Sequence, residues 1–398
     1  MLVESIRSLY NNLTEIVDKE INEAFVGGHA PHPEDDVYLK GSKGSLEAMD
    51  AILKTFKKPQ ATTIKWDGYP ALIFGRGNDG KFIIADKHMF NKSDGSGRQI
   101  FNPEQFIQYD ALRGVARPQL ADVVGKLWPH LDYATKGQKG YYWGDLLFSQ
   151  PLQDINGKYK FKANPNGITY EVDVDSNIGK MLTDKIAGIG IHQFIDADAP
   201  ANAESMSKKG KKVAPTDLAI SLNGTTGKLG KTKDVAILPS AMPVIPKVDI
   251  PTQQIKDTQK VIQQYGPALD KLLPGPGSQF KNDIGVFFNN KIRSGNLNNL
   301  LRDFYKFFKT RKMTVPMRKK VEDHLAKNKD GVIALLKIWS EIYKLKMILY
   351  KQLDDNAKQS PVKGYLDDGT LGQEGYVAHG HKYVDRMGFS RQNLAGQR

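Results

Sequence analysis

TTIKWDGYPALIFGRGNDGKFIIADK, residues 62–87, sets the reading of this chain. Short β-rich runs alternate with Asp-Gly turns at Asp67-Gly68 and Asp79-Gly80, which is hairpin chemistry. Gly75-x-Gly77-x-x-Gly80 spells a dinucleotide fingerprint. However, Asn-Asp-Gly runs straight into KFII, leaving no helix to receive a pyrophosphate, so a hairpin is expected.

Outward from this stretch, YYWGDLLFS, GITYEVDV and GIGIHQFI keep the strand habit, so residues 61–198 read as a sheet-rich domain. Residues 200–251 carry six prolines and one convincing strand near Val235 to Leu238, and read mainly as loop. On the N-terminal side, Leu2, Ile6, Leu9, Leu13, Ile16, Ile21 and Phe25 have helical spacing. A polar, proline-interrupted stretch follows, then a second helical pattern through Leu46, Met49, Ile52, Leu53 and Phe56 that ends before Pro59. Beyond Pro251 the period lengthens again, and residues 252–356 are expected to form four or five helices. The last forty residues return to strand. An α+β fold is expected, with an N-terminal helical segment (1–60), a sheet domain (61–250 and 357–398) and an inserted helical module (251–356).

At 398 residues the chain is long enough for two or three domains with a true core. The 57 Lys and Arg against 44 Asp and Glu leave a formal charge of +13, which favours polyanionic partners. The absence of cysteine excludes disulfide scaffolds, thiolate zinc sites and thiol nucleophiles, and fits an intracellular protein. MLVESIRSLYNN lacks the order of a signal peptide, and no run of about 18 apolar residues is present, so a cytoplasmic protein without membrane contact is expected.

Four segments offer chemistry. Ile64-Lys65-Trp66-Asp67-Gly68 puts a lysine at the end of a β-run beside an acid and a glycine turn. A lysine attacks phosphorus only as the free amine, so neighbouring cations must lower its reference pKa of about 10.4. K-x-D-G alone arises in roughly one in ten chains of this length, so the pattern needs company. Gly144-Asp145 sets a carboxylate between two apolar runs, Tyr170 offers a ring in a strand, and Glu374-Gly375 precedes a strand with Lys382 five residues beyond Val377. Asp173-x-Asp175-x-Asn177 lacks the glycine of a calcium loop and reads as a strand end. His379 and His381, without cysteines or further histidines nearby, read as phosphate or solvent contacts.

In this order the segments resemble motifs I, III, IIIa, IV and V of the covalent nucleotidyltransferases, the superfamily of ATP-dependent DNA ligases, RNA ligases and mRNA capping enzymes. KWDGY is most similar to the DNA ligases. HPED, KWDGYPA, GDLLF, EGYV and VDRMGFSRQN together look like ligase-related proteins of tailed bacteriophages, with the host cytoplasm as location. The resemblance covers 61–198 and 366–398. It implies a ligase-type, ATP-grasp-like pair of antiparallel sheets and ATP and Mg2+ as cofactors. Nicked DNA, ahead of RNA, would be the partner of a monomeric enzyme.

The residue roles that follow place Lys65 as nucleophile forming lysyl-AMP and Lys382 against the α-phosphate. Ile64, Asp67, Gly68, Asp145 and Tyr170 would surround the nucleotide, with Asp145 on the ribose and Tyr170 on adenine, and Glu374 and Asp67 would organise magnesium. Ligases usually carry an arginine where Pro70 stands, so Arg76 or Lys87 would substitute for it. The chain stops sixteen residues past Lys382, which predicts no C-terminal OB domain. The readings to be separated from a DNA ligase are an RNA ligase, another adenylyl- or guanylyltransferase, and a non-catalytic phage nucleic-acid-binding protein on the same scaffold.

Outside the motifs, Lys306, Lys309, Arg311, Lys312, Arg318, Lys319 and Lys320 fall within fifteen residues that hold no acid. Lys309, Arg311, Lys312, Arg318, Lys319 and Lys320 are expected to touch a nucleic-acid backbone.

Overall fold

The computed structural model describes residues 31–59, 62–92, 95–112, 114, 117–163, 168–199, 219–222, 225–239, 248–372 and 375–387. The helix read from Leu2 to Phe25 lies outside them, as does Glu374. The architecture is a mixed α+β fold with two hydrophobic cores.

One core belongs to the large sheet, ordered β3-β2-β4-β7-β8: β2 (Ala71–Arg76), β3 (Phe82–Asp86), β4 (Gly140–Phe148), β7 (Ala187–Ile195) and β8 (Ile220–Ser221). These neighbours pair antiparallel, and β9 (Val235–Pro239) adds a sixth strand, parallel to β7. The expected hairpin is present. β2 and β3 pair from Leu72↔Asp86 to Arg76↔Phe82, and Gly80 takes the left-handed φ of 75° that an Asp-Gly turn requires. Helices α2 (Lys87–Phe90), α3 (Pro103–Leu112) and α4 (Pro118–Ala134) cover this sheet. Both α3 and α4 begin on proline, whose missing N–H costs nothing in a first turn. Neither helix had been expected within the sheet-rich block.

The second core joins two three-stranded sheets to the helices. One sheet is β1 (Thr63–Ile64), β11 (Tyr376–Ala378) and β12 (His381–Tyr383), in that order. The other is β10 (Val362–Leu366), β6 (Ile168–Asp173) and β5 (Lys158–Lys162). β6 ends at Asp173, and Ser176 caps the short α5 (Asn177–Leu182), so the calcium-like spelling is a strand end. Five helices fill residues 252–357: α6 (Thr252–Leu272), α7 (Phe280–Arg293), α8 (Leu300–Thr310), α9 (Val315–Lys327) and α10 (Lys329–Ala357).

The N-terminal helix α1 (Asp35–Lys57) starts earlier than the spacing predicts and kinks at Gly41. There φ is 76°, and a Cβ would lie 2.3 Å from Asp270 Oδ1. Asp270, on α6, accepts from Ser42 N–H at 2.8 Å and Ser42 Oγ–H at 2.5 Å. α1 packs on α6, α7 and α10, so residues 31–59 share a core with those helices.

A buried ionic junction ties these parts together. Glu34 and Lys346 are both fully buried and pair at 2.7 Å. Arg386 bridges Glu34 at 3.2 Å and Asp35 at 2.9 Å, and also bonds Asn289 on α7. His381 Nε2 lies 2.9 Å from buried Asp36. Burial alone would raise the Glu34 pKa, but Lys346 and Arg386 outweigh it and hold the carboxyl below its usual value. His32, beside this cluster, is pushed well below the ordinary imidazole value by burial and by Lys346, Arg386 and Lys382.

Two outcomes follow. Removing one partner strands a buried charge, so Lys346→Met should destabilise the fold by about 3–5 kcal/mol in chemical unfolding, and adding Glu34→Gln should recover part of the loss. His32 takes up a proton below about pH 6.5 in the unfolded chain but not in the fold, so the unfolded state binds more protons and stability falls as pH drops. In His32→Gln, the stability profile measured between about pH 6.5 and 5 should be flatter than in the parent.

Candidate functional site

Lys65 leaves β1 with its N–H donating to Gly375 O at 3.0 Å, which extends the β1–β11 pairing by one residue. Trp66 turns inward. It is fully buried, its indole N–H donates to Pro239 O at 3.1 Å, and its ring meets Tyr170 at 4.8 Å and Phe161 at 6.0 Å between centroids. With Trp66 pinned, Lys65 and Asp67 on either side remain half-buried at the surface of the loop. Asp67 N–H donates to Tyr170 Oη at 2.7 Å.

Gly68 then passes directly over β4. A Cβ there would lie 2.6 Å from Asp145 Cβ and 2.7 Å from Leu146 O, so only glycine permits this approach. Tyr69 N–H bonds Leu146 O at 2.9 Å, and β2–β4 pairing begins with Ala71↔Asp145. The K-x-D-G loop and the motif around Asp145 are thus one packed unit.

Asp145 Oδ2 lies 3.1 Å from His192 Nε2 on the neighbouring β7. Both side chains stay partly exposed, at 15% and 21%. His192 was absent from the residues expected by sequence. The available signal was a polar residue interrupting the apolar run GIGIHQFI, just as Asp145 interrupts YYWGDLLF one strand away. Lys87 follows β3 at this same end of the sheet, its Nζ 5.0 Å from the Trp143 ring centroid.

Lys382 pairs with Val377, which pairs with Thr63. Because strand side chains alternate, Lys382, Val377, Thr63 and the continuation at Lys65 share one half-buried face, while Ile64, Tyr376 and Tyr383 fill the core behind it. The two lysines therefore belong to one face of one small sheet.

Several expectations need correction. Tyr170 is 1% exposed and packed against Trp66 and Phe161, so its ring is covered; its hydroxyl supports the Lys65 loop. Ile64 is fully buried and contributes packing. Arg76 lies at the far end of β2, opposite Gly140, about 17 Å along the strand from the level of Asp145. Its guanidinium is engaged by Asp132 at 2.5 Å, Asp132 O and Gly80 O at 2.9 Å and Thr135 O at 3.3 Å. Of the two proposed substitutes for the missing arginine, Lys87 alone sits near Asp145. His381 serves Asp36 within the buried junction. In the basic run, Lys309, Lys312, Lys319 and Lys320 are exposed, whereas Arg311 pairs with Asp283 at 2.9 Å and Arg318 donates to Arg311 O at 3.3 Å.

The chain matches a family of unknown function, DUF6267, over residues 27–398, and belongs to that family. No curated protein and no solved structure matches it. Among the described residues, no helix is long and apolar enough to cross a membrane.

Tyr170→Phe keeps the ring and removes only the hydroxyl that receives Asp67 N–H. It should cost about 1 kcal/mol in urea unfolding. A tyrosine whose ring alone matters would show no loss.

Proposed function

Family membership assigns no activity, and we propose from the residues themselves that the protein is an ATP-dependent polynucleotide ligase. It would act on nicked DNA through a lysyl-AMP intermediate, on a ligase-type nucleotidyltransferase scaffold. The observation that carries this reading is the packing of the Lys65-Trp66-Asp67-Gly68 loop onto Asp145 through Gly68, with Lys382 on the same sheet face as Lys65.

Lys65 Nζ, as the free amine, attacks the α-phosphorus of ATP. An N–P bond forms, the bond to the bridging oxygen breaks, pyrophosphate leaves and the amine loses a proton. Lys382, on the same sheet face, would offset charge on the α-phosphate. Asp145 accepts from the ribose, with His192 fixing the carboxylate, and Lys87 supplies the cation that Pro70 does not. The acceptor 5′-phosphate then takes AMP from Lys65, and a 3′-hydroxyl displaces AMP to seal the strand. Asp67, half-buried beside Gly68, fits the hard oxygen donor that magnesium requires, with Glu374 as its partner. The metal would supply charge neutralisation at the phosphates. Phage origin, a host-cytoplasmic location and a monomeric state are parts of the same reading.

The engagement of Arg76 and the burial of Tyr170 favour a second reading, a nucleic-acid-binding protein that keeps this scaffold without turnover. Incubation with α-labelled ATP and magnesium, followed by denaturation, separates the two. The ligase reading expects label on the protein, its loss in Lys65→Ala, and a fall of roughly tenfold or more in Asp145→Asn, since a hydrogen bond to a charged group contributes about 1.5–3 kcal/mol. Preferential labelling by GTP indicates a guanylyltransferase, and transfer of label to nicked RNA but not nicked DNA an RNA ligase. No label with any nucleotide or metal leaves the binding protein.

A further inference from the structure

The turn between α8 and α9 is built as a rigid corner. Phe304 and Phe308 on α8, and Val321 and Leu325 on α9, are buried and fix both helices to the module. Two half-buried arginines flank the turn, Arg311 at the end of α8 and Arg318 within α9. Arg311 pairs with Asp283 at 2.9 Å and covers the Phe307 ring at 5.7 Å, and Arg318 donates to Arg311 O at 3.3 Å. These bonds staple the ends of the turn to each other and to α7.

What remains outside is a different set. Lys306, Lys309, Lys312, Lys319 and Lys320 are exposed, and no acid occurs in the chain between Asp303 and Glu322. At the tip, Val315 is 81% exposed and Met317 is 37% exposed, with Pro316 between them. A stapled backbone carrying exposed cations around a small apolar tip has a recognisable complement.

We propose that this corner docks on the backbone of duplex nucleic acid, with the five lysines on phosphates and Val315-Pro316 seated in the groove between them. Charge decides the partner class, because a surface with this excess of lysine meets a polyanion. Aromatic content decides against single strands. Phe304 and Phe308 are buried, and the half-buried Tyr305 and Phe307 pack against the core, Phe307 also under Arg311, so no fully exposed ring is offered to an unstacked base. Apolar area decides against a lipid surface, since one valine and one methionine at the start of α9 fall short of the broad apolar face of an interfacial helix. Aliphatic and proline tips flanked by cations are, by contrast, suited to a groove.

This surface is separate from the Lys65 site, and the inference holds whether or not Lys65 reacts. It also divides the basic run into lysines that touch ligand and arginines that position the corner.

The test uses the full chain, a fluorescent duplex of about 20 base pairs without a nick, the matching single strand, and vesicles of phosphatidylserine and phosphatidylcholine. Affinity for the duplex is measured across a salt series. The expected result is duplex binding whose log–log salt slope falls by about 3 in the triple variant Lys312→Gln, Lys319→Gln, Lys320→Gln, with an unchanged melting temperature. Arg318→Gln should lower the melting temperature and leave the slope within about one unit, and Val315→Asp should weaken duplex binding. A slope unaltered by the triple variant, tighter binding of the single strand, or binding of vesicles in place of duplex would each overturn the proposal. Labelling by α-labelled ATP, run on the same variants, stays at the parent level if the two surfaces are independent, so failure here is distinguishable from failure of the ligase reading.

Discussion

Glu34 keeps its charge with no exposure to solvent because two cations reach it from two segments more than 300 residues further along the chain. Lys346 arrives on the longest helix of the inserted module and Arg386 from the segment after β12. Each charge would be costly in the interior by itself, so the junction forms only when all three segments are in place. It is also directional: a carboxylate accepts only from donors at set positions, so the cluster fixes registry where apolar packing alone would tolerate sliding. α1, β12 and α10 are thereby held in one arrangement. The small sheet carrying Lys65 and Lys382 inherits its position from that arrangement, since Lys382 N–H bonds Pro31 O, one residue before His32.

Within the site, rigidity and reactivity are assigned to different residues. Trp66, Tyr170 and Gly68 immobilise the loop through a buried ring, a hydroxyl and the lack of a side chain. Lys65, Asp67, Asp145 and His192 retain partial exposure, and they are the residues to which the proposed chemistry falls. The aromatic residues beside Lys65 act on backbone geometry, and a carboxylate in the middle of a strand finds its partner one strand away.

Much of this was legible in the residues. Asp-Gly turns announced the β2–β3 hairpin, the strand at β9 was readable from its β-branched run, and the long apolar period of residues 252–356 gave five helices. Spacing identifies which face of an element is apolar, but not what covers it. Tyr170 looked like an open ring because its strand alternates, yet Trp66 and Phe161 close over it. Arg76 lay within reach by sequence distance, but antiparallel register carried it to the wrong end of β2. Arg311 and Arg318 shared a composition with their lysine neighbours, and only Asp283, from a different helix, and the carbonyl of Arg311 set them apart. The start of α1 was hidden because Gly41 and Gly44 weaken helix propensity, and the contact with Asp270 that uses Gly41 lies far along the chain.

The carbonyl of Gly375 that holds Lys65 belongs to the closing part of the polypeptide, some 310 residues after the lysine it orients. While the protein is being made, the lysine leaves the ribosome long before its strand partner exists. A nascent chain therefore carries the K-x-D-G segment without the sheet that aligns it, and the loop takes its folded geometry only once synthesis has passed β12. Such late closure raises the entropic barrier to assembly, and no unfinished copy presents Lys65 on an ordered sheet face.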